Sequence, residues 1–233
     1  MKRFYVSARI RLGLALAASS LASVGLFVVG AWSNQDGAFG YLPWNLLLAW
    51  FPLVLALWLE HTLHRSLWSS WFALLVTVLW LAFLPNTFYM ISDLVHIQEA
   101  GAVDLLYDVV MFSSFILNGV MLGYLSLFIV HWELARRLSA RTAFLLVEFV
   151  LLLCSFAIYV GRELRWNTWD IVANPSSLLF DVSDRVINPR EHPQAFTTTL
   201  SFFVLLSSLY IILWYVARVA RTQRQPASEA KHK

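Results

Sequence analysis

Long apolar runs that carry almost no charge recur along this chain, and no other feature limits its fold as strongly. Of its 233 residues, 59% are hydrophobic and only 13% are charged, whereas soluble domains average about 25% charged residues. A helix of about 20 apolar residues crosses the roughly 30 Å hydrocarbon core of a bilayer. The composition therefore predicts an all-α fold, a polytopic transmembrane helix bundle with short interfacial helices in its outward loops.

Six apolar runs have the length that a membrane span requires, at roughly 12–32, 42–59, 67–84, 107–130, 142–160 and 196–217. Residues 1–221 are thus predicted to form a single transmembrane domain, and the polar residues 222–233 a disordered cytoplasmic tail. The first run also fits a cleavable signal peptide, because it follows basic residues and contains small ones. It continues to Val29, however, and exceeds the usual length of about 7–15 apolar residues. We interpret it as a retained anchor.

Lysine and arginine are distributed unequally between the two sides of the predicted bundle. The N-terminal segment, the second and fourth loops and the tail contain 13 of them, and the first, third and fifth loops contain four. Because cytoplasmic segments are enriched in these residues, we expect both termini in the cytoplasm and the protein in the bacterial cytoplasmic (inner) membrane. The same distribution explains the sequence pI of about 9.2, so the predicted partner is the lipid bilayer and not nucleic acid.

The segment LPNTFYMISDLVH, residues 84–96, carries a narrow polar stripe. Spacings of three, four and three residues place its polar side chains on one face of a helix; they are Asn86, Tyr89, Asp93 and His96. Pro85 is expected to bend the chain and to start a short interfacial helix. The stripe has two interpretations, which are local capping and pairing, or part of a site in which Asp93 and His96 act.

A second polar segment, GRELRWNTWD, occupies residues 161–170. Its spacing predicts a helix with Arg162, Arg165 and two tryptophans, Trp166 and Trp169, on one side, and with Glu163, Asn167 and Asp170 on another. Tryptophan beside arginine is typical of an interfacial anchor, but it also suits contact with lipid headgroups.

The region between the third and fourth spans is acidic and has no Lys or Arg; its carboxylates are Asp93, Glu99, Asp104 and Asp108. Uncompensated charge near a bilayer is costly, so we expect Arg162 or Arg165 to pair with these groups. Such pairs have two readings, an ion-pair clamp that holds the bundle together, or a site where arginine grips an anionic headgroup.

These considerations define the candidate residues. The catalytic candidates are Asp93, His96 and Asp108, and the ligand-binding candidates are Asn86, Tyr89, Asp93, His96, Asp108, Arg162, Arg165, Asn167, Trp169 and Asp170. We predict no metal site, because His61 and His64 lack a supporting cluster of metal ligands. No motif assigns a cofactor.

Three further positions lie within the spans. Glu148 is a carboxylate well inside the fifth span, and intramembrane acids are candidates for function, although snorkelling to the interface is an alternative. Gly119 and Gly123 form a small-xxx-small pair that favours close helix packing, with Asn118 as a polar link beside it.

The two motifs together resemble a family of small bacterial multi-pass membrane proteins catalogued only as a domain of unknown function. The resemblance covers about residues 45 to 215, and Gly-Arg-x-x-Arg-Trp-Asn-x-Trp-Asp is its most specific string. It implies a membrane location and no activity.

Two functions remain open at this point. In the first, the outward polar cluster binds an anionic lipid headgroup, an envelope protein or a small ligand, or it clamps the bundle. In the second, the protein is a membrane enzyme that acts on a lipid-linked or phosphate-bearing substrate at the outer face, with Asp93 or Asp108 as base, His96 as acid or ligand, and the arginines on the anionic group. The sequence favours the first, a binding or structural role, because it contains no recognisable nucleophile with an adjacent base.

Overall fold

A computed structural model describes residues 2–34, 39–99, 105–166 and 170–223. The described residues form nine α-helices and one 3₁₀ helix, Met90–Glu99. The α-helices are α1 (Lys2–Asn34), α2 (Tyr41–Leu63), α3 (Trp71–Phe83), α4 (Pro85–Tyr89), α5 (Leu105–Ala135), α6 (Ala140–Glu163), α7 (Asp170–Ala173), α8 (Pro175–Ile187) and α9 (Pro193–Gln223). Among the residues that were singled out above, Asp104, Asn167 and Trp169 lie outside the described ranges, as does the predicted tail from residue 224 onward.

Six helical segments of the described chain are long and apolar enough to cross a membrane, which confirms the predicted helix bundle. They are Arg9–Trp32, Tyr41–Leu63, Trp71–Ile97, Leu105–Ala135, Ala140–Glu163 and Pro193–Ala220. Their directions alternate, so the start of α1 and the end of α9 lie at the same end of the bundle, here called the proximal end. The opposite end is called the distal end.

Ion pairs hold the helix ends together at the proximal end. Arg9 of α1 donates both Nη atoms to the carboxylate of Glu60 at 2.7 and 2.9 Å. Glu133, which is 2% exposed, accepts from Arg136 and Arg137 at the end of α5. Arg137 also donates to the carbonyl of Leu63 at 3.1 Å. This end therefore joins α1, α2 and α5 through charges that satisfy one another.

The centre of the bundle is built around α5, and its small residues allow α4 to approach closely. A Cβ atom added at Gly119 would lie 2.7 Å from the carbonyl oxygen of Thr87, and one added at Gly123 would lie 2.9 Å from the ring of Phe88. Asn118 donates to Ser23 Oγ of α1 at 2.9 Å. The close packing and the polar link predicted for this part of α5 are thus both present.

Pro85 does not interrupt the helical path of the chain. Leu84 keeps a right-handed helical conformation, and Pro85 is the first residue of α4, where the missing N–H costs no hydrogen bond. The 3₁₀ helix follows α4 without a break within the candidate span Trp71–Ile97, and its start is buried, since Met90 is 0% exposed. α4 packs among α2, α5 and α6, and the 3₁₀ helix packs against α5, so the polar stripe lies within the bundle.

Candidate functional site

A cavity of about 640 Å³ lies at the distal end of the bundle, within the range of about 300–1,000 Å³ typical of small-molecule sites. Its walls come from α2, the α3–α4 junction, the 3₁₀ helix, the end of α6 and the amphipathic helix α8. The residues lining it are Tyr41, Trp44, Asn45, Leu48, Ala82, Pro85, Asn86, Tyr89, Asp93, His96, Phe156, Ala157, Val160, Gly161, Arg162, Trp166, Leu178, Leu179 and Val182.

Four of the lining side chains meet one another and form what we call the distal polar cluster: Asn45, Asp93, His96 and Arg162. Arg162 Nη1 lies 3.5 Å from Asp93 Oδ1, and Arg162 Nη2 lies 2.9 Å from His96 Nε2. Asn45 donates to Asp93 Oδ2 at 3.3 Å. The two polar motifs of the sequence therefore meet in space, through Arg162 of one and Asp93 and His96 of the other.

The contact with Arg162 fixes which nitrogen of His96 carries the proton. A guanidinium N–H can only donate, so His96 Nε2 accepts and the proton of the neutral ring resides on Nδ1. The His96 ring also packs against the ring of Tyr41, with centroids 5.6 Å apart. In this arrangement His96 holds and orients Arg162, and its Nε2 is not available as a proton donor.

Asp93 is 1% exposed, and a carboxylate so deeply buried needs compensating partners. Its two partners, Arg162 at 3.5 Å and Asn45 at 3.3 Å, stand farther away than the usual 2.7–2.9 Å of a charge-assisted hydrogen bond. At most two of the five N–H donors of Arg162 point at Asp93 and His96, and its side chain is 21% exposed. The guanidinium therefore retains donors that can face the cavity.

The remaining predicted residues divide between the cavity and its surroundings. Asn86 lines the cavity and donates to the carbonyl of Phe83 at 3.1 Å. Tyr89 also lines it, and its ring packs on Gly161, where an added Cβ would lie 3.1 Å from the ring. Asp108, buried in the first turn of α5, and Asp170, in the first turn of α7, do not belong to the lining.

Arg165 does not share the position of Arg162 in the cavity lining, because α6 ends between the two residues. The helix stops at Glu163, and Arg165 adopts a left-handed backbone conformation with φ of 58°. The single helical face predicted for Arg162, Arg165 and Trp166 is therefore not formed. Arg165 is exposed, and within the described part of the chain it does not line the cavity.

The structure adds residues that sequence reasoning did not assign to the site. Asn45 could have been predicted from the sequence, because it is an amide in the otherwise apolar second span. The sequence predicts that Trp166 is an interfacial anchor. In the structure it lines the cavity, and its Nε1–H donates to Asp181 of α8 at 2.8 Å. Leu178 and Val182 lie one turn apart on α8 and line the cavity. Their spacing indicates a shared face only if residues 175–187 are known to form a helix.

The connection from α8 to α9 is stabilised by a separate carboxylate. Asp184 accepts from Asn188 Nδ2 at 2.7 Å and lies 2.8 Å from His192 Nε2. These hydrogen bonds, that of Asn188 first and that of His192 next, hold the pKa of the Asp184 carboxyl below its usual range.

Glu148, the intramembrane carboxylate, lies away from the cavity. Ser207 of α9 donates to its Oε2 at 2.6 Å, and its Oε1 is buried without a hydrogen-bond partner among the described residues. Glu148 thus links α6 to α9 inside the bilayer region and takes no part in the distal polar cluster.

The described residues define a multi-span helical membrane protein with a cavity at one end of its bundle, and the lining of that cavity includes a polar cluster. Residues 44–212 match a family described as protein of unknown function, DUF1361, and the chain belongs to that family. The match agrees with the resemblance carried by the two motifs. No curated protein matches the chain, and neither does any solved structure.

Proposed function

We propose that this protein resides in the bacterial inner membrane with both termini in the cytoplasm, and that its distal cavity faces outward and binds a phosphate-bearing ligand such as an anionic lipid headgroup. One observation carries the proposal: Arg162, Asp93, His96 and Asn45 converge in the lining of a cavity large enough for a small molecule. Among the described residues that line the cavity, Arg162 is the only lysine or arginine.

The chemistry of Arg162 favours an oxyanion ligand. A guanidinium presents a planar fork of donors that matches phosphate or carboxylate oxygens in a bidentate manner. His96 and Asp93 hold this fork in place before a ligand arrives, which lowers the ordering cost of binding. A ligand can accept from the remaining N–H donors of Arg162 while Arg162 keeps its contacts with Asp93 and His96. Binding therefore does not require these contacts to break.

Binding is favoured over catalysis by the role of His96. An enzyme of the kind considered above needs a general acid or base within reach of the substrate. Of the three catalytic candidates, Asp108 does not line the cavity. His96 Nε2 accepts from Arg162, and Asp93 is 1% exposed, so these two groups serve the guanidinium in this arrangement. The enzyme hypothesis stays a prediction, with Asp93 and His96 as the residues that would carry it.

The test compares two arginines from the same segment. We expect Arg162→Lys to weaken binding of lysophosphatidate by about tenfold or more, because the lysine keeps the charge and loses the bidentate fork. Arg165→Lys should bind as the unmodified protein does, because Arg165 is exposed and does not line the cavity. Bound lipid is measured by native mass spectrometry of the purified protein in a non-ionic detergent.

Two controls separate a binding site from a structural clamp. Monoacylglycerol of the same chain length lacks the phosphate and should bind much more weakly; equal binding would show that no headgroup is recognised. The melting temperature of each variant in detergent is measured alongside. If Arg162→Lys lowers the melting temperature and lysophosphatidate never binds the unmodified protein, the cluster is a clamp and the proposal fails.

Topology is tested with a matched pair of serines, both exposed. Ser69 lies in the α2–α3 connection at the proximal end, and Ser183 lies on α8 at the distal end. In intact spheroplasts we expect Ser183→Cys to react with a membrane-impermeant thiol reagent and Ser69→Cys to react only after lysis, as the excess of basic residues at the proximal end requires. The single native cysteine, Cys154, is buried and should stay unlabelled. The reverse pattern would place the cavity in the cytoplasm.

A further inference from the structure

Along α6, the lining of the distal cavity changes from charged at the helix end to apolar deeper in the bundle. Arg162 lies at the end of this helix, while Phe156 and Ala157 line the cavity from deeper in the bundle. Six residues separate Phe156 from Arg162, which corresponds to about 9 Å along a helix. The cavity therefore extends from the charged group toward the middle of the bilayer, and its deeper wall on α6 is apolar.

The walls formed by α2 and by the third span show the same order. On α2, which runs in the opposite direction, Asn45 lies nearer the distal end and Leu48 lies one turn deeper. Along the third span, Asp93 lies near the distal end and Ala82 lies more than two turns deeper. Asn86 also lines the cavity between them, and its amide donates to the carbonyl of Phe83. Three elements thus place charged or amide side chains nearest the distal end and mainly apolar side chains deeper, with Asn86 as a deeper polar group among the described lining residues. This order matches the polarity profile of an amphiphile.

Apolar side chains also border the cavity where it reaches the surface. Trp44 of α2 and Leu179 of α8 both line it, and they are 51% and 64% exposed. A tryptophan at this level is typical of the membrane–water interface. The amphipathic helix α8 contributes further exposed apolar residues, Phe180 and Ile187, both 73% exposed, as expected of a helix that lies in the interface. The edge of the cavity between α2 and α8 is therefore suited to contact with lipid.

We infer that the ligand is a membrane lipid, whose phosphate lies on Arg162 and whose hydrocarbon chain occupies the deep apolar part of the cavity, and that it enters from the bilayer between α2 and α8. This inference rests on the proposed function and narrows it, because a water-soluble phosphate ester satisfies Arg162 but leaves the deep apolar walls of Leu48, Ala82 and Phe156 in contact with water. Burial of a hydrocarbon chain against those walls adds a hydrophobic contribution to the binding free energy, which a headgroup alone lacks.

The experiment measures binding of two ligands that share a phosphate and differ in the chain, glycerol 3-phosphate and palmitoyl lysophosphatidate. Native mass spectrometry of the purified full-length protein reports both. We expect the lysolipid to bind at least about tenfold more tightly. Ala157→Phe, which fills the deep part of the cavity, should remove most of this advantage. Leu153→Phe, one turn away on the same helix and 43% exposed, should leave the advantage unchanged.

Each other outcome has one meaning. Equal affinity for the two ligands overturns the lipid inference and leaves the proposed phosphate site standing. Lysolipid binding that Ala157→Phe does not affect, while Arg162→Lys does, puts the chain outside the cavity and overturns it as well. Failure of both ligands to bind overturns the proposed function itself. Since Ala157→Phe can disturb folding, its melting temperature is compared with that of Leu153→Phe, and Ala82→Phe on the opposite wall provides a second variant with the same expected result.

Discussion

Replacing Arg162 with leucine should lower the free energy of unfolding by about 3–5 kcal/mol, the cost of removing one partner from a buried ion pair. Asp93 is 1% exposed, and without Arg162 its carboxylate would lose its positively charged partner and keep the neutral amide of Asn45 at 3.3 Å. The leucine side chain can pack in the cavity, but it supplies neither charge nor hydrogen bonds. The measurement is unfolding of the purified protein in mixed micelles, followed by far-ultraviolet circular dichroism.

A double variant shows whether the loss of stability arises because the carboxylate of Asp93 has lost its charged partner. Arg162→Leu combined with Asp93→Asn should recover most of the lost stability, because an amide is far less costly to bury than an unpaired charge. Arg165→Leu provides the matched control and should stay within about 0.5 kcal/mol of the unmodified protein, as is usual for exposed positions. A double variant that is no more stable than Arg162→Leu would show that the two charges are not coupled.

The second large effect concerns the contact between α4 and α5. Gly119→Ala should destabilise the protein, because the new methyl group would lie 2.7 Å from both the carbonyl oxygen of Thr87 and the sulfur of Met90. The methionine side chain can move aside, whereas the carbonyl belongs to the backbone of α4 and cannot. Overpacking of this kind costs about 1–3 kcal/mol. Thermal unfolding in detergent measures the change.

The matched control is the same substitution where space is available. Gly25 lies on α1, and an added Cβ there meets nothing within 4 Å. Gly25→Ala should be neutral or stabilising by up to about 1 kcal/mol, the difference in helix propensity between glycine and alanine. Because both variants change glycine to alanine within a helix, the difference between them isolates the packing contribution. Equal stability of the two variants would contradict the close approach of α4 to α5.

The two predictions bear on the site in different ways. Gly119 supports α4, which leads directly into the 3₁₀ helix that carries Asp93 and His96, so Gly119→Ala should lower lysolipid binding only as far as it lowers stability. Arg162→Lys, in contrast, should lower binding while the melting temperature changes little. This separation distinguishes a residue that positions the site from one that contacts the ligand.

Much of the architecture is readable from the chain without its fold. Apolar runs of about 20 residues must become helices in a bilayer, because unpaired backbone groups are too costly in hydrocarbon; all six expected spans are present. The spacing of Asn86, Tyr89, Asp93 and His96 also predicted a shared face, and all four line one cavity. Helical and 3₁₀ geometry both place residues three apart on similar faces, so this local pattern survived the change of helix type at Met90.

Only the tertiary structure decided which groups complete the site. The sequence offered Arg162 and Arg165 as equivalent partners for the carboxylates, and the end of α6 between them turned one toward Asp93 and left the other exposed. Asn45 is 48 residues away from Asp93 along the chain, and part of the apolar lining comes from α8, a separate helix. Periodicity describes one helix at a time, whereas a cavity between helices depends on how they pack against one another, and that is set by long-range contacts such as the close approach of α4 to Gly119 and Gly123.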